Sequence, residues 1–157
     1  MLQRLYVHNY RCLENFELIL KDHSSALLIG KNGVGKSTIA NVLELFQQIG
    51  RGVNRMRELL CFNDFARGRS NVPMRFELEV LLDGKIYSYM LAFDFPEKFK
   101  ELRVLEELFI VAGEAIYSRN GAQVTIHKSA QGRDAQFSVD WHLIALPLIF
   151  EQSDNYP

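Results

Sequence analysis

Gly30-Lys31-Asn32-Gly33-Val34-Gly35-Lys36-Ser37-Thr38 fills every fixed position of the pattern G-x-x-x-x-G-K-[S/T]. The residues on either side suit it. Ala26-Leu27-Leu28-Ile29 is a short apolar run with the length of a buried strand, and Lys36 opens an amphipathic helix with Ile39, Val42, Leu43, Phe46 and Ile49 on one face. Gly50 stands where a helix commonly ends. Strand, glycine turn and helix together would bring successive backbone N–H groups and the helix N-terminal dipole onto one phosphate group. In that arrangement Lys36 meets the β- and γ-phosphates, Ser37 offers its hydroxyl to Mg²⁺, and Thr38 bonds a further phosphate oxygen. The expected ligands are ATP and Mg²⁺. A glycine-rich turn before an ordinary helix is the plain alternative.

The rest of the composition narrows the class. A chain of 157 residues, 48% hydrophobic and 24% charged, fits one domain with a real core and excludes a disordered or fibrous protein. A formal net charge of −1 gives no global attraction to nucleic acid or to an anionic membrane, so any such contact must be a local patch. Cys12 and Cys61 form neither a disulfide framework nor a metal pattern; small buried hydrophobes in a reduced protein are expected. Arg4, His8 and Arg11 have no apolar signal core behind them, and Leu143 to Phe150 is too short to span a bilayer. The expected location is the cytoplasm, with no membrane partner.

Leu2 to Tyr10 reads as a strand with Leu5 and Val7 on one face and Arg4, Tyr6 and His8 on the other. Arg11 to Asn15 turns, and Phe16 to Leu20 returns as a second strand. The opening Leu5-Tyr6-Val7-His8-Asn9-Tyr10-Arg11-Cys12-Leu13-Glu14-Asn15-Phe16, followed by Leu27-Leu28-Ile29-Gly30-Lys31-Asn32-Gly33-Val34-Gly35-Lys36-Ser37-Thr38, resembles the amino-terminal lobe of ABC-type ATPases of the RecF, SMC and OLD kind, many of them described as AAA-family ATP-binding proteins. The resemblance implies an α/β (α+β) P-loop NTPase lobe with an antiparallel β-meander beside the nucleotide-binding core. It also implies an ATP-dependent homodimer, work in DNA repair, chromosome maintenance or phage defence, and in some cases DNA and an attached nuclease as partners. By position, Tyr10 and Arg11 would approach adenine or phosphate; packing or surface roles are the alternative.

Residues 51 to 71 carry Arg51, Arg55, Arg57, Arg67 and Arg69 against Glu58 and Asp64, a local net of +3. A short helix, Asn54 to Leu60, and a loop are expected there. A solvated loop with scattered ion pairs accounts for the charges; the resemblance implies instead that an arginine here reaches nucleotide or DNA, with Arg55 and Arg57 the nearest positional matches.

From Met74 the period becomes two. Met74, Phe76, Leu78, Val80 and Leu82 alternate with Arg75, Glu77 and Glu79, Asp83-Gly84 turns the chain, and Tyr87, Tyr89, Leu91, Phe93 and Phe95 alternate on the return. Leu105 to Val111 and a hairpin, Ile116 to Arg119 and Gln123 to His127 around Asn120-Gly121, continue the meander. Residues 128 to 138 read as loop, and Asp140 as the N-cap of a short helix from Trp141, interrupted by Pro147. The chain thus reads as a single lobe: strands, glycine loop and first helix over 1–50, an arginine-rich loop over 51–73, hairpins over 74–127, and a linker with a short helix over 128–157.

Hydrolysis of ATP needs a Walker B carboxylate and a water-positioning group besides the phosphate loop. Leu91-Ala92-Phe93-Asp94-Phe95 imitates a Walker B run but has Phe95 where glutamate belongs, and no Ser-x-Gly signature follows. No catalytic residue is therefore assigned. The resemblance places those elements in a second lobe, and Pro157 reads as an arbitrary end, as in a fragment or split gene product. Gln152 matches by position the glutamine that closes such a lobe near Mg²⁺; an exposed tail glutamine is the alternative. His8, His23, His127 and His142 share no metal-binding or catalytic spacing. A small P-loop phosphotransferase and a non-hydrolysing nucleotide-binding fragment are the competing functions, while a GTPase lacks its Asp-x-x-Gly and Asn-Lys-x-Asp motifs.

Overall fold

A computed structural model describes residues 1–21, 23, 25–127 and 133–153, with only the backbone for 150–153. Its strands are β1 (Leu2–His8), β2 (Phe16–Ile19), β3 (Met74–Leu82), β4 (Lys85–Asp94), β5 (Arg103–Val111), β6 (Glu114–Asn120), β7 (Gln123–Ile126) and β8 (Ala135–Ser138). They form one antiparallel sheet in the order β2-β1-β3-β4-β5-β6-β7-β8. The helices are α1 (Lys36–Gly50), α2 (Met56–Leu59) and α3 (Ala145–Ser153). The fold is mixed α and β.

Alternation explains the long hairpin. Met74 pairs with Phe93, Phe76 with Leu91, Leu78 with Tyr89 and Val80 with Tyr87, so the apolar sets of β3 and β4 share a face. Asp83 and Gly84 both take positive φ, at 48° and 75°, which is the type I′ geometry that matches strand twist. Ala112 and Gly113 repeat that turn between β5 and β6, at 51° and 86°. The hairpin of β6 and β7 turns at Gly121-Ala122 rather than Asn120-Gly121, because Asn120 is itself paired with Gln123.

α1 covers one face of the sheet. Ile39, Val42, Leu45, Phe46 and Ile49 join Leu5, Val7, Phe76, Leu91 and Phe93 in one apolar core, and the Phe46 ring meets Tyr89 edge-on at 6.0 Å. Full burial of each such side chain contributes about 1.5–3 kcal/mol. Leu45, not the expected Leu43, belongs to the buried stripe; Leu43 is exposed. Gly50 is the last helical residue and Gly52, at φ 100°, makes the left-handed cap. Gly52 N donates to Ile49 O and Val53 N to Gln48 O, both at 3.0 Å, closing the helix end.

Several local expectations are corrected. Ala26–Ile29 is not a sheet strand: Leu27 is 82% and Ile29 85% exposed. The sheet ends at β2 on one side and β8 on the other, and residues 26–29 pair with neither edge. The antiparallel sheet is the body of the domain, rather than a meander set beside a separate nucleotide-binding core, and among the described residues no two adjacent strands pair in parallel. The helix expected over 54–60 is the single turn α2. Part of the expected loop over 128–138 is β8, which extends the hairpin ladder; 128–132 lie outside the described residues. α3 begins at Ala145, not Trp141, and carries Pro147 in its first turn, where a missing N–H costs no helical bond. Asp140 instead accepts from His142 N at 2.7 Å and so closes a turn ahead of the helix. Both cysteines are free and exposed, not buried. Among the described residues no helix is long and apolar enough to cross a membrane.

Candidate nucleotide-binding site

Two backbone positions shape the loop ahead of α1. Gly33 and Gly35 have φ of 88° and 105°, a region L-residues with side chains rarely enter, and Gly35 is the N-cap of α1. A Cβ on Gly35 would come within 2.9 Å of Leu13 Cδ2 and 3.2 Å of Cys12 Sγ, so the turn between β1 and β2 packs directly under the helix start. A Cβ on Gly30 would meet Val34 Cγ2 at 2.8 Å. A side chain is thus excluded at Gly30 and Gly35 by close neighbours, whereas Gly33 faces open space.

Asn32, Gly33, Gly35, Lys36, Ser37 and Thr38 line a concave surface of about 280 Å³. Lys36 folds back over the loop, its Nζ donating to Gly30 O and, at 2.8 Å, to Lys31 O. Ser37 is exposed, whereas Thr38 is buried with its Oγ1 3.4 Å from Cys12 Sγ. The first free N–H groups of a 15-residue helix and a lysine ammonium therefore share one concavity. That chemistry suits an anion: oriented donors, the positive end of a helix and a lysine ammonium.

Arg11 is drawn to the same helix. Held at φ 50°, it sends Nε to Asp64 Oδ1 at 2.8 Å, and its backbone N donates to Asp64 O at 2.7 Å. Oriented to satisfy both neighbours, the Asn41 amide donates to Ser37 O at 3.3 Å and accepts from Arg11 Nη1. The hydrogen bond to Asp64 raises the Arg11 pKa further, so the guanidinium stays charged beside the first turns of α1. Tyr10 lies beneath it, with the guanidinium carbon 5.1 Å from the ring centroid, and burial pushes its phenol up to about 12. Tyr10 is a core residue, 3% exposed, and not a surface for adenine.

The other sequence candidates separate. Arg55 and Arg57 are exposed and make no ion pair among the described residues; Arg55 forms a β-bridge with Leu143. Arg67 and Arg69 pair with Glu14 at 3.3 and 2.9 Å, the scattered-pair arrangement of a solvated loop. Gln152 lies in α3, and its side chain is outside the described residues. Asp94 is engaged by Arg103 through two bonds, at 2.9 and 2.5 Å, and lines a larger concavity of about 580 Å³ that shares no residue with the glycine loop. That pairing accounts for Asp94 without a Walker B role. Asn41, Asp64 and Cys12 were not legible as site residues, because their proximity arises from the β1–β2 turn and the 62–68 segment folding onto the start of α1.

The glycine loop, Lys36 and the start of α1 share one concave surface. A family model described as AAA ATPase domain matches residues 1–106, and the chain belongs to that family. It is an AAA-family ATPase lobe, and nucleotide binding is the general function that membership carries. No match to the chain was found among curated proteins.

Proposed function

We propose that the chain binds Mg²⁺-ATP through Gly30–Thr38, a Walker A loop, as the nucleotide-binding lobe of an ABC-type ATPase of the RecF, SMC and OLD kind. The observation that carries this reading is the placement of Lys36, its ammonium held over the loop rim by two carbonyls while the N–H groups of the helix start open into the same concavity. The triphosphate supplies four negative charges or nearly so, and releasing Lys36 from Gly30 O and Lys31 O lets the ammonium meet them. Ser37, exposed at the helix start, is the residue that would hold Mg²⁺. Lys31, Asn32, Gly33, Val34 and Gly35 contribute backbone donors, and Arg11 adds a fixed positive charge.

Hydrolysis belongs, in this reading, to a complete, ATP-bridged homodimer in which other residues supply the Walker B carboxylate and the signature. DNA is the expected macromolecular partner, and repair, chromosome maintenance or phage defence the expected processes. The phosphotransferase alternative is disfavoured by β3 to β8, an antiparallel run in which no helix links successive strands among the described residues, where such kinases repeat strand–helix crossovers. Titration calorimetry with Mg²⁺-ATP tests the site: wild-type protein binds, and Lys36→Ala loses at least about tenfold in affinity, a charge-assisted contact being worth roughly 1.5–3 kcal/mol. Equal affinities would remove Lys36 and the loop from the site.

A further inference from the structure

On the sheet face opposite α1, Ser118 of β6, His127 just past β7 and Asp134 just ahead of β8 form a hydrogen-bonded chain. Ser118 Oγ lies 2.9 Å from His127 Nε2, and His127 Nδ1 lies 3.0 Å from Asp134 Oδ2. The ladder explains why they meet. Ser118 of β6 pairs with Thr125 of β7, and His127 N donates to Ile116 O at 2.9 Å, so His127 stands two residues along on the same face and diagonal to Ser118. Ile126 pairs with Ala135, which brings Asp134 directly opposite His127.

The chemistry has a direction. An ionised carboxylate can only accept, so Asp134 selects the imidazole tautomer with its proton on Nδ1 and leaves the Nε2 lone pair facing the Ser118 hydroxyl. This is the polarity of a general base aimed at a nucleophile. Ser118 also opens on a groove of about 350 Å³ that runs across β4 to β7. Met90 and Leu108 line one part of it, and Asn120, Gln123 and Thr125 another, so an apolar acyl chain and amide donors for a carbonyl oxygen have places on either side of the hydroxyl. Glu106 on the same groove disfavours an anionic acyl group.

We propose that Ser118, His127 and Asp134 form a base-activated serine site that accepts acyl groups from small neutral esters, a second activity distinct from the nucleotide site. Ser118 Oγ attacks the ester carbonyl as its proton passes to His127 Nε2; the carbon–oxygen bond to the alcohol breaks, and the alcohol leaves with that proton. Water, deprotonated by the same nitrogen, then releases the acid and regenerates the serine. Asp134 orients the ring throughout. Because the His127 and Asp134 side chains are 32% and 47% exposed, their attraction is screened by solvent, and orientation rather than charge is what Asp134 supplies.

The test uses the purified chain with a biotinylated fluorophosphonate, followed by peptide mass mapping, and in parallel the turnover of p-nitrophenyl acetate. The expected result is an adduct on Ser118, absent in Ser118→Ala, with labelling slowed about 100-fold in His127→Gln, the size of effect a positioned general base supplies. Asp134→Asn, altering a half-exposed group without changing its size, is expected to slow it about tenfold and guards against a His127 variant that fails to fold. Thermal melts verify each variant, and Ser118→Ala retains Mg²⁺-ATP binding. No adduct at Ser118, or equal labelling in folded His127→Gln and Asp134→Asn, would overturn the proposal and reduce the chain to a tie between strands.

Discussion

Glu107 and Arg119 form an ion pair at 3.0 Å in which neither side chain has any exposed surface. Both project from neighbouring strands onto the core face, where Glu107 Oε1 accepts from Tyr89 and Tyr117 and Oε2 accepts from Arg119 and from the N–H of Ala145. Arg119 in turn donates to the carbonyls of Gly121, Asp140 and Leu143. The pair therefore fastens the segment ahead of α3, and the helix start itself, to the middle of the sheet. Burial and then the adjacent Glu107 charge push both tyrosine pKa values well up, keeping the phenols as donors.

Removing the Glu107 charge leaves Arg119 buried beside a neutral acceptor. Glu107→Gln is expected to destabilise the protein by about 3 kcal/mol, the scale of breaking a buried ion pair. Urea unfolding followed by tryptophan fluorescence reads this directly, Trp141 being the sole tryptophan and lying on the fastened segment. A loss below about 1 kcal/mol would mean that the network is not what holds the segment.

The glycines at the two ends of α1 should respond in opposite ways. Gly35→Ala places a Cβ against Leu13 and Cys12 at a φ of 105°, and is expected to cost about 1–3 kcal/mol and to impair ATP binding. Gly50→Ala enters open space in a helix and should stabilise by about 0.5 kcal/mol. Paired thermal melts check both, and a shared sign would contradict the loop geometry.

Acid should weaken the opening strands. Burial alone would raise the Glu77 pKa, but hydrogen bonds from Arg4 and Arg75 outweigh it and hold the carboxyl below its usual 4.5. A carboxyl depressed on folding contributes stability above its unfolded value and loses it as pH falls through the folded one. Unfolding free energy is therefore expected to decline below about pH 4.5 and to decline less steeply in Glu77→Gln. Parallel slopes for the two proteins would assign the acid sensitivity to other carboxylates.

Arg55 and Arg57, exposed and without ion pairs among the described residues, should be dispensable for folding. Replacing both with alanine is expected to change stability by less than about 0.5 kcal/mol. Under the proposed function, in which DNA stimulates ATP turnover, the same change should reduce that stimulation. Undiminished stimulation in a steady-state ATPase assay would return the pair to an ordinary solvated loop.

Local rules made much of the chain legible in advance. Period-two alternation from Met74 to Phe93 and the Asp83-Gly84 turn specify a hairpin and its register, because a one-residue slip would put every apolar side chain in water. The glycine loop and Lys36-Ser37-Thr38 were readable for a similar reason: backbone freedom, charge and a hydroxyl are properties of the residues themselves. Position in the sheet was not. Ala26–Ile29 has the composition of a buried strand yet lies outside the sheet, since composition alone does not decide whether a segment joins a sheet edge. Leu105-Glu106-Glu107-Leu108-Phe109-Ile110 reads equally well with either face inward, and only the pairing of β5 with β4 and β6 turns Glu107 into the core and Leu108 toward the Ser118 groove. Asp64 beside Arg11, Cys12 beneath Gly35 and Asp134 opposite His127 are likewise products of tertiary packing. Motifs and strand faces follow from residue chemistry at short range; which distant side chains share a charge or a proton is decided only when the strands are laid side by side.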